Sequence, residues 1–106
     1  MTTFKDREKG FEEKYAHDRE LDFRVTARRN RLLGLWAAER LGLSGTDAEA
    51  YARDVVEADF QEAGDDDVLR KVLSDLRARD AEMSEHRVRR RMDELMAEAR
   101  AQIQTE

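Results

Sequence analysis

Apolar positions recur along this chain at intervals of three, four and seven, and almost never in strand-like alternation. In residues 19–41, "RELDFRVTARRNRLLGLWAAERL", Leu21, Val25, Leu32 and Trp36 follow spacings of four and seven, which predicts a helix with one apolar stripe. Gly42 falls where a left-handed residue ends such a helix, and Leu43 can fold back on the last turn. Thr46 and Glu49 have capping-box spacing and predict the start of a second helix, with apolar set Ala48, Tyr51, Ala52, Val55, Val56 and Phe60. Gly64 is expected to end it. Asp65, Asp66 and Asp67 then supply an N-cap and negative charge for the positive end of a third helix.

The third helix carries Val68, Leu69, Val72, Leu73 and Leu76 on one face. Ser84 is the predicted N-cap of a fourth, with Met83 and Val88 placed as a hydrophobic staple. That last helix has the cleanest stripe: Val88, Met92, Leu95, Met96, Ala99 and Ile103. Short connections make sequential helices antiparallel neighbours. The fold class is therefore all-α, a small antiparallel four-helix bundle over 19–106, with Trp36 expected as the largest member of its core.

Residues 1–18 stand apart as an arm. Phe4, Phe11 and Tyr15 lie among charged residues, with Gly10 between them. At about 100° per residue a helical arm would hold the three rings within roughly 40° of one another, rotated by roughly 60–80° from the stripe of Leu21 to Trp36. Such a helix is near the length limit for stability in water, and Gly10 weakens it by about 1 kcal/mol relative to alanine. A flexible or marginally helical arm that folds when a partner offers a groove is the expectation, against a plain frayed terminus.

Composition narrows the chemistry. The 106 residues are 42% charged, yet the net charge is −5 and there is no cysteine or proline. The signs are mixed and the total is acidic, which disfavours a nucleic-acid partner. Nothing in the sequence reads as a membrane span or signal peptide. A thiol nucleophile or thiolate metal site is excluded. His17 and His86 belong to different elements and form no acid–base pair. Asp65–Asp67 lack the ligand spacing of a calcium loop. An enzyme is not expected, nor a cofactor. Arg24, Arg28, Arg29 and Arg31, and again Arg87, Arg89, Arg90 and Arg91, are read as solvated faces balanced by the acids of helices two and three. The alternative is a small nucleotide-binding regulatory module in which Arg28 and Arg31 hold a phosphate.

The stretch "FKDREKGFEEKYAHDRELDFRVTARRNRLLGLWAAERLGLSG" resembles the signature of the alpha-proteobacterial F-type ATP synthase inhibitor family, the zeta subunit. "ADFQEAGDDDVLRKVLSDL" and "RRRMDELMAEARAQI" resemble the rest of it, and "KYAHD" and "ARRNRLLGLWAAE" are the most specific parts. The resemblance implies a four-helix bundle and an inhibitory segment from Thr2 to about His17. In that family the segment enters a catalytic interface of the synthase head, approaches the central stalk and blocks hydrolytic rotation while largely sparing synthesis. Carried onto this chain, Phe4, Phe11 and Tyr15 are the anchors, and Lys5, Arg7, Lys9 and Lys14 face acidic rims. A non-enzymatic cytoplasmic protein is implied, a monomer when free, held at the cytoplasmic face of the membrane by the synthase and not inserted in the bilayer.

Overall fold

The computed structural model describes the backbone of residues 4–60 and 64–106 and the side chains of residues 19–60 and 64–106. Four helices follow in order: α1 Phe4–Arg40, α2 Gly45–Ala58, α3 Asp66–Arg79 and α4 Glu85–Thr105. The fold is the expected all-α four-helix bundle. α1 has 37 residues, about 55 Å at 1.5 Å per residue, and accounts for most of the 65 Å long axis.

Contacts along the helices fix their directions. Arg24 and Arg28 near the start of the described part of α1 reach Glu106 at the end of α4, so these two helices run antiparallel. Arg31 reaches Glu49, and Phe23 meets Phe60, which sets α2 antiparallel to α1. Tyr51 on α2 donates to Asp75 on α3 at 2.8 Å. Among the described residues the α1 backbone comes close to all three other helices, whereas the backbones of α2 and α4 stay apart. α1 and α3 thus form the inner diagonal, with α2 and α4 on either side.

The main core joins Leu33 and Ala37 of α1 to Val55, Val68, Leu69, Val72, Leu76, Met83, Val88, Met92 and Leu95. A smaller cluster of Val25, Ala99 and Ile103 continues it between α1 and α4. Every predicted apolar position of α3 and α4 is buried or packed against these clusters, Leu73 and Met96 only in part. Ser84 caps α4 as expected, its Oγ accepting from the Arg87 N–H at 3.2 Å. Gly42, at φ +78°, closes α1: the Leu43 N–H reaches Ala38 O at 2.9 Å and the Gly42 N–H reaches Glu39 O at 3.2 Å.

Four expectations are corrected. Trp36 is only half-buried at the rim, with the Arg40 guanidinium 4.2 Å above its ring. The line that enters the core is Val25, Arg29, Leu33 and Ala37, a strict repeat of four that the arginine hides from a hydrophobicity count. α2 starts at Gly45 after Ser44, so the Thr46–Glu49 capping box does not form and Glu49 turns to Arg31 instead. α2 also ends at Ala58, before Gly64, and this leaves Phe60 outside the helix and 63% exposed. Asp65 occupies the N-cap position of α3 but makes no capping bond with its side chain, which faces Arg29.

The axis of the bundle is held close at Gly34. A Cβ built there would lie 2.6 Å from the Ala52 Cα on α2, a clash with backbone that only separation of the helices relieves. Gly34→Ala is expected to lower stability despite alanine's better helix propensity by about 1 kcal/mol. Leu95→Ala should cost about 2–5 kcal/mol, as other large-to-small core changes do. Urea unfolding followed by circular dichroism measures both. A Gly34→Ala protein as stable as the parent would show that α1 and α2 can part freely.

Candidate functional site

Three groups of side chains on α1 are the candidates: the segment before residue 19, an arginine-rich stretch at 24–31, and an exposed aromatic at 23. The helix passes position 18 unbroken, so the predicted arm and the bundle share one backbone element. The side chains of Phe4, Lys5, Arg7, Lys9, Phe11, Lys14, Tyr15 and His17 lie outside the described residues.

The arginine stretch divides by face. Arg29, expected on a solvated face, is 2% exposed. Its Nε donates to Asn30 Oδ1 at 2.7 Å and its guanidinium donates to Asp65 Oδ1 at 2.6 Å. Asn30 is buried beside it, and its Nδ2 has no partner. A guanidinium taken this far from water needs a counter-charge, and Asp65, half-exposed, supplies it while tying the α2–α3 connection to α1. Charge alone could not reveal this from the sequence. Position 29 betrays itself only by lying four residues from both Val25 and Leu33.

Arg28 and Arg31 are engaged rather than open. Arg28 donates to Gln102 Oε1 at 2.9 Å and to the Glu106 carboxylate. Arg31 makes a bidentate pair with Glu49, both bonds at 3.1 Å. A phosphate at either position would have to displace a carboxylate already in place. On α4, Arg87, Arg89 and Arg90 are exposed, as expected, and Arg91 is half-buried. Arg89 pairs with Glu85 and Asp66, while Arg90 and Arg91 pair with Glu94. The hydrogen bond from Arg91 holds the Glu94 carboxyl below the usual carboxylate range. Trp36, Arg40, Arg87, Arg90 and Arg91 border one open cleft between α1 and α4.

Other polar groups are structural. Burial, followed by the hydrogen bond to Asp75, pushes the Tyr51 hydroxyl far above its ordinary value, so it stays a donor at any physiological pH. His86 is exposed. Among the described residues no three His, Asp or Glu side chains gather as a metal site, and no helix is long and apolar enough to cross a membrane. The feature missed in the sequence is an aromatic pair on the surface: the rings of Phe23 and Phe60 lie 5.8 Å apart, 57% and 63% exposed. Phe23 is off the apolar stripe of α1, and that offset was the available signal.

The Arg29–Asp65 pair yields a stability prediction. Asp65→Asn would leave a buried guanidinium with a neutral partner. The expected loss is about 1–3 kcal/mol, less than for a pair closed to water on both sides, because solvent reaches the carboxylate. Denaturant midpoints at neutral pH measure it. A loss below about 0.5 kcal/mol, the range of ordinary surface changes, would mean that Asp65 is dispensable to Arg29.

Comparison with known proteins places this geometry. A solution NMR structure of a protein with 53% sequence identity superposes with a TM-score of 0.71, over 80% of this chain and 96% of that one. No curated protein matches the chain. The family described as ATPase inhibitor subunit zeta matches residues 1–102, a span that includes the aromatic segment, α1 to α3 and most of α4. The chain belongs to the ATPase inhibitor subunit zeta family.

Proposed function

We propose that this protein restrains ATP hydrolysis by the F-type ATP synthase by binding, not by turning over a substrate of its own. Membership of the inhibitor family across residues 1–102 is the observation that carries this reading. In it, residues 1–18 act as the inhibitory arm and residues 19–106 as the body. The arm enters a catalytic interface of the head near the central stalk. Phe4, Phe11 and Tyr15 are its buried anchors, and Lys5, Arg7, Lys9 and Lys14 meet acidic rims. The body, too large to follow, stops rotation in the hydrolytic direction. The free protein is a monomer that works at the cytoplasmic face of the membrane through the synthase.

α1 supports this division of labour mechanically. A wedge built as a prolongation of a core helix transmits force to the body without a flexible joint.

Hydrolysis by the cognate synthase, assayed with and without the purified protein, tests the reading directly. Removing residues 1–16 deletes no described core residue, so cooperative unfolding should persist with a similar midpoint while inhibition is lost. Phe4→Ala with Phe11→Ala should weaken inhibition about thirtyfold, since truncating buried aromatic anchors often costs about 2 kcal/mol or more. Changing Arg90 should matter little, because it lies exposed on α4 beside Glu94. Full inhibition by the shortened protein would remove the arm from the mechanism.

A further inference from the structure

Phe23 and Phe60 stand more than half in water although both could be polar without loss to the core. Phe23 belongs to α1 and Phe60 to the turn after α2, and their rings meet at an interplanar angle of 37°. Beside Phe23 lies an apolar depression floored by Val56 and Ile103 and edged by Arg24, Arg28 and Arg31. α1, α2 with its following turn, and α4 therefore contribute to one exposed apolar surface. Arg24 and Arg28 pair with Glu106, and Arg31 pairs with Glu49, so the depression is rimmed by ion pairs rather than by open charges.

We infer that this aromatic patch is a second docking surface for the same ATPase that the α1 segment engages, received by an apolar projection. The inference rests on the inhibitory reading for the identity of the partner. Two observations favour that occupant over a second copy of this chain. First, the patch is small. With about 200 Å² for a whole phenylalanine side chain, the two rings leave roughly 200–250 Å² open, well under the ~800 Å² per partner of a standard interface. Such an area does not sustain a stable dimer alone, but it adds substantially to a contact made elsewhere. Second, it is continuous with the arm: Phe23 follows Tyr15 by eight residues of the same helix, about 12 Å. A partner gripping the segment up to residue 18 arrives beside Phe23 with no further loss of rotational freedom, so the second contact forms at high effective concentration.

The experiment uses the full chain and purified intact ATPase, comparing the parent with the double variant Phe23→Gln, Phe60→Gln. Binding, inhibition of hydrolysis, thermal unfolding and amide exchange of the complex are all read. The expected result is an unfolding midpoint close to the parent's, binding weakened about tenfold or more, and inhibition weakened in step. In the parent complex the amides of Asp59 and Phe60 should exchange more slowly than in the free protein. Unchanged binding by the double variant overturns the inference. So does a parent complex without added protection at Asp59 and Phe60, even if the variant unfolds early, since the rings would then only clasp α2 to α1. A concentration-dependent dimer of the parent that the variant abolishes, with ATPase binding intact, assigns the patch to a second copy and also overturns it. Should the parent bind with protection at these amides yet leave hydrolysis unaffected, the patch stands and the inhibitory reading falls. Failure of the parent to bind the ATPase overturns both.

Discussion

α1 has to satisfy three helices at once, and most of the molecule's peculiarities follow from that. A helix packed on one side needs an apolar stripe of little more than 100°, but α1 meets α2, α3 and α4 together. Its buried arc accordingly widens to take in Arg29, Asn30, Leu33, Gly34, Ala37 and Ala38. Small residues fill much of this arc because the approach at Ala52 leaves no room for a Cβ on Gly34. Large side chains are displaced to the edges, which is why Leu32 and Trp36 pack from the flank. The width of the arc also draws two polar residues into the interior. Arg29 is satisfied by Asn30 and Asp65, but Asn30 Nδ2 remains unpartnered, a penalty of about 1–3 kcal/mol accepted within the interface.

That burial explains how the connections are set. Asp65 sits where a capping residue would, yet its carboxylate is directed to Arg29 and its backbone is helical, at φ −95° and ψ −1°. The charge-assisted bond to a buried guanidinium outweighs a capping bond to an exposed N–H, since the former relieves the larger desolvation. The same competition operates at the start of α2. Glu49 forms a two-bond pair with Arg31 across the helix interface, so it does not complete the capping box with Thr46. In both places a tertiary contact to α1 prevails over a local one.

The sequence was legible where one helix faces one neighbourhood. α3 and α4 declare their stripes and their acidic or Ser84 starts, and the structure follows them nearly residue by residue. Gly42 was legible too, because few residues other than glycine accept φ +78°. The reading failed on α1, where a hydrophobicity count follows Leu32 and Trp36 and passes over a buried arginine. It failed again at Phe60, read as core because it continued the spacing of Val55 and Val56 beyond the point where α2 stops. For the arm the sequence offers three aromatics on one stripe, which suggest a groove and not its owner, and what is shown is the likeness of residues 1–102 to a family.

The continuity of α1 alters the energetics that the isolated arm suggests. A free peptide of the arm's length must nucleate its own helix, an unfavourable step with an equilibrium constant of about 10⁻³. Here the nucleus already exists, because residues 19–40 are held helical by packing against three partners. Extension towards Phe4 then requires only propagation, one hydrogen bond gained for each residue fixed. Gly10 remains a weak point of about 1 kcal/mol, small beside a nucleation penalty of roughly 4 kcal/mol at that constant. The backbone register of residues 4–18 is thus continuous with that of the body. The packing that stabilises the bundle also lowers the free energy of extending the helix towards Phe4.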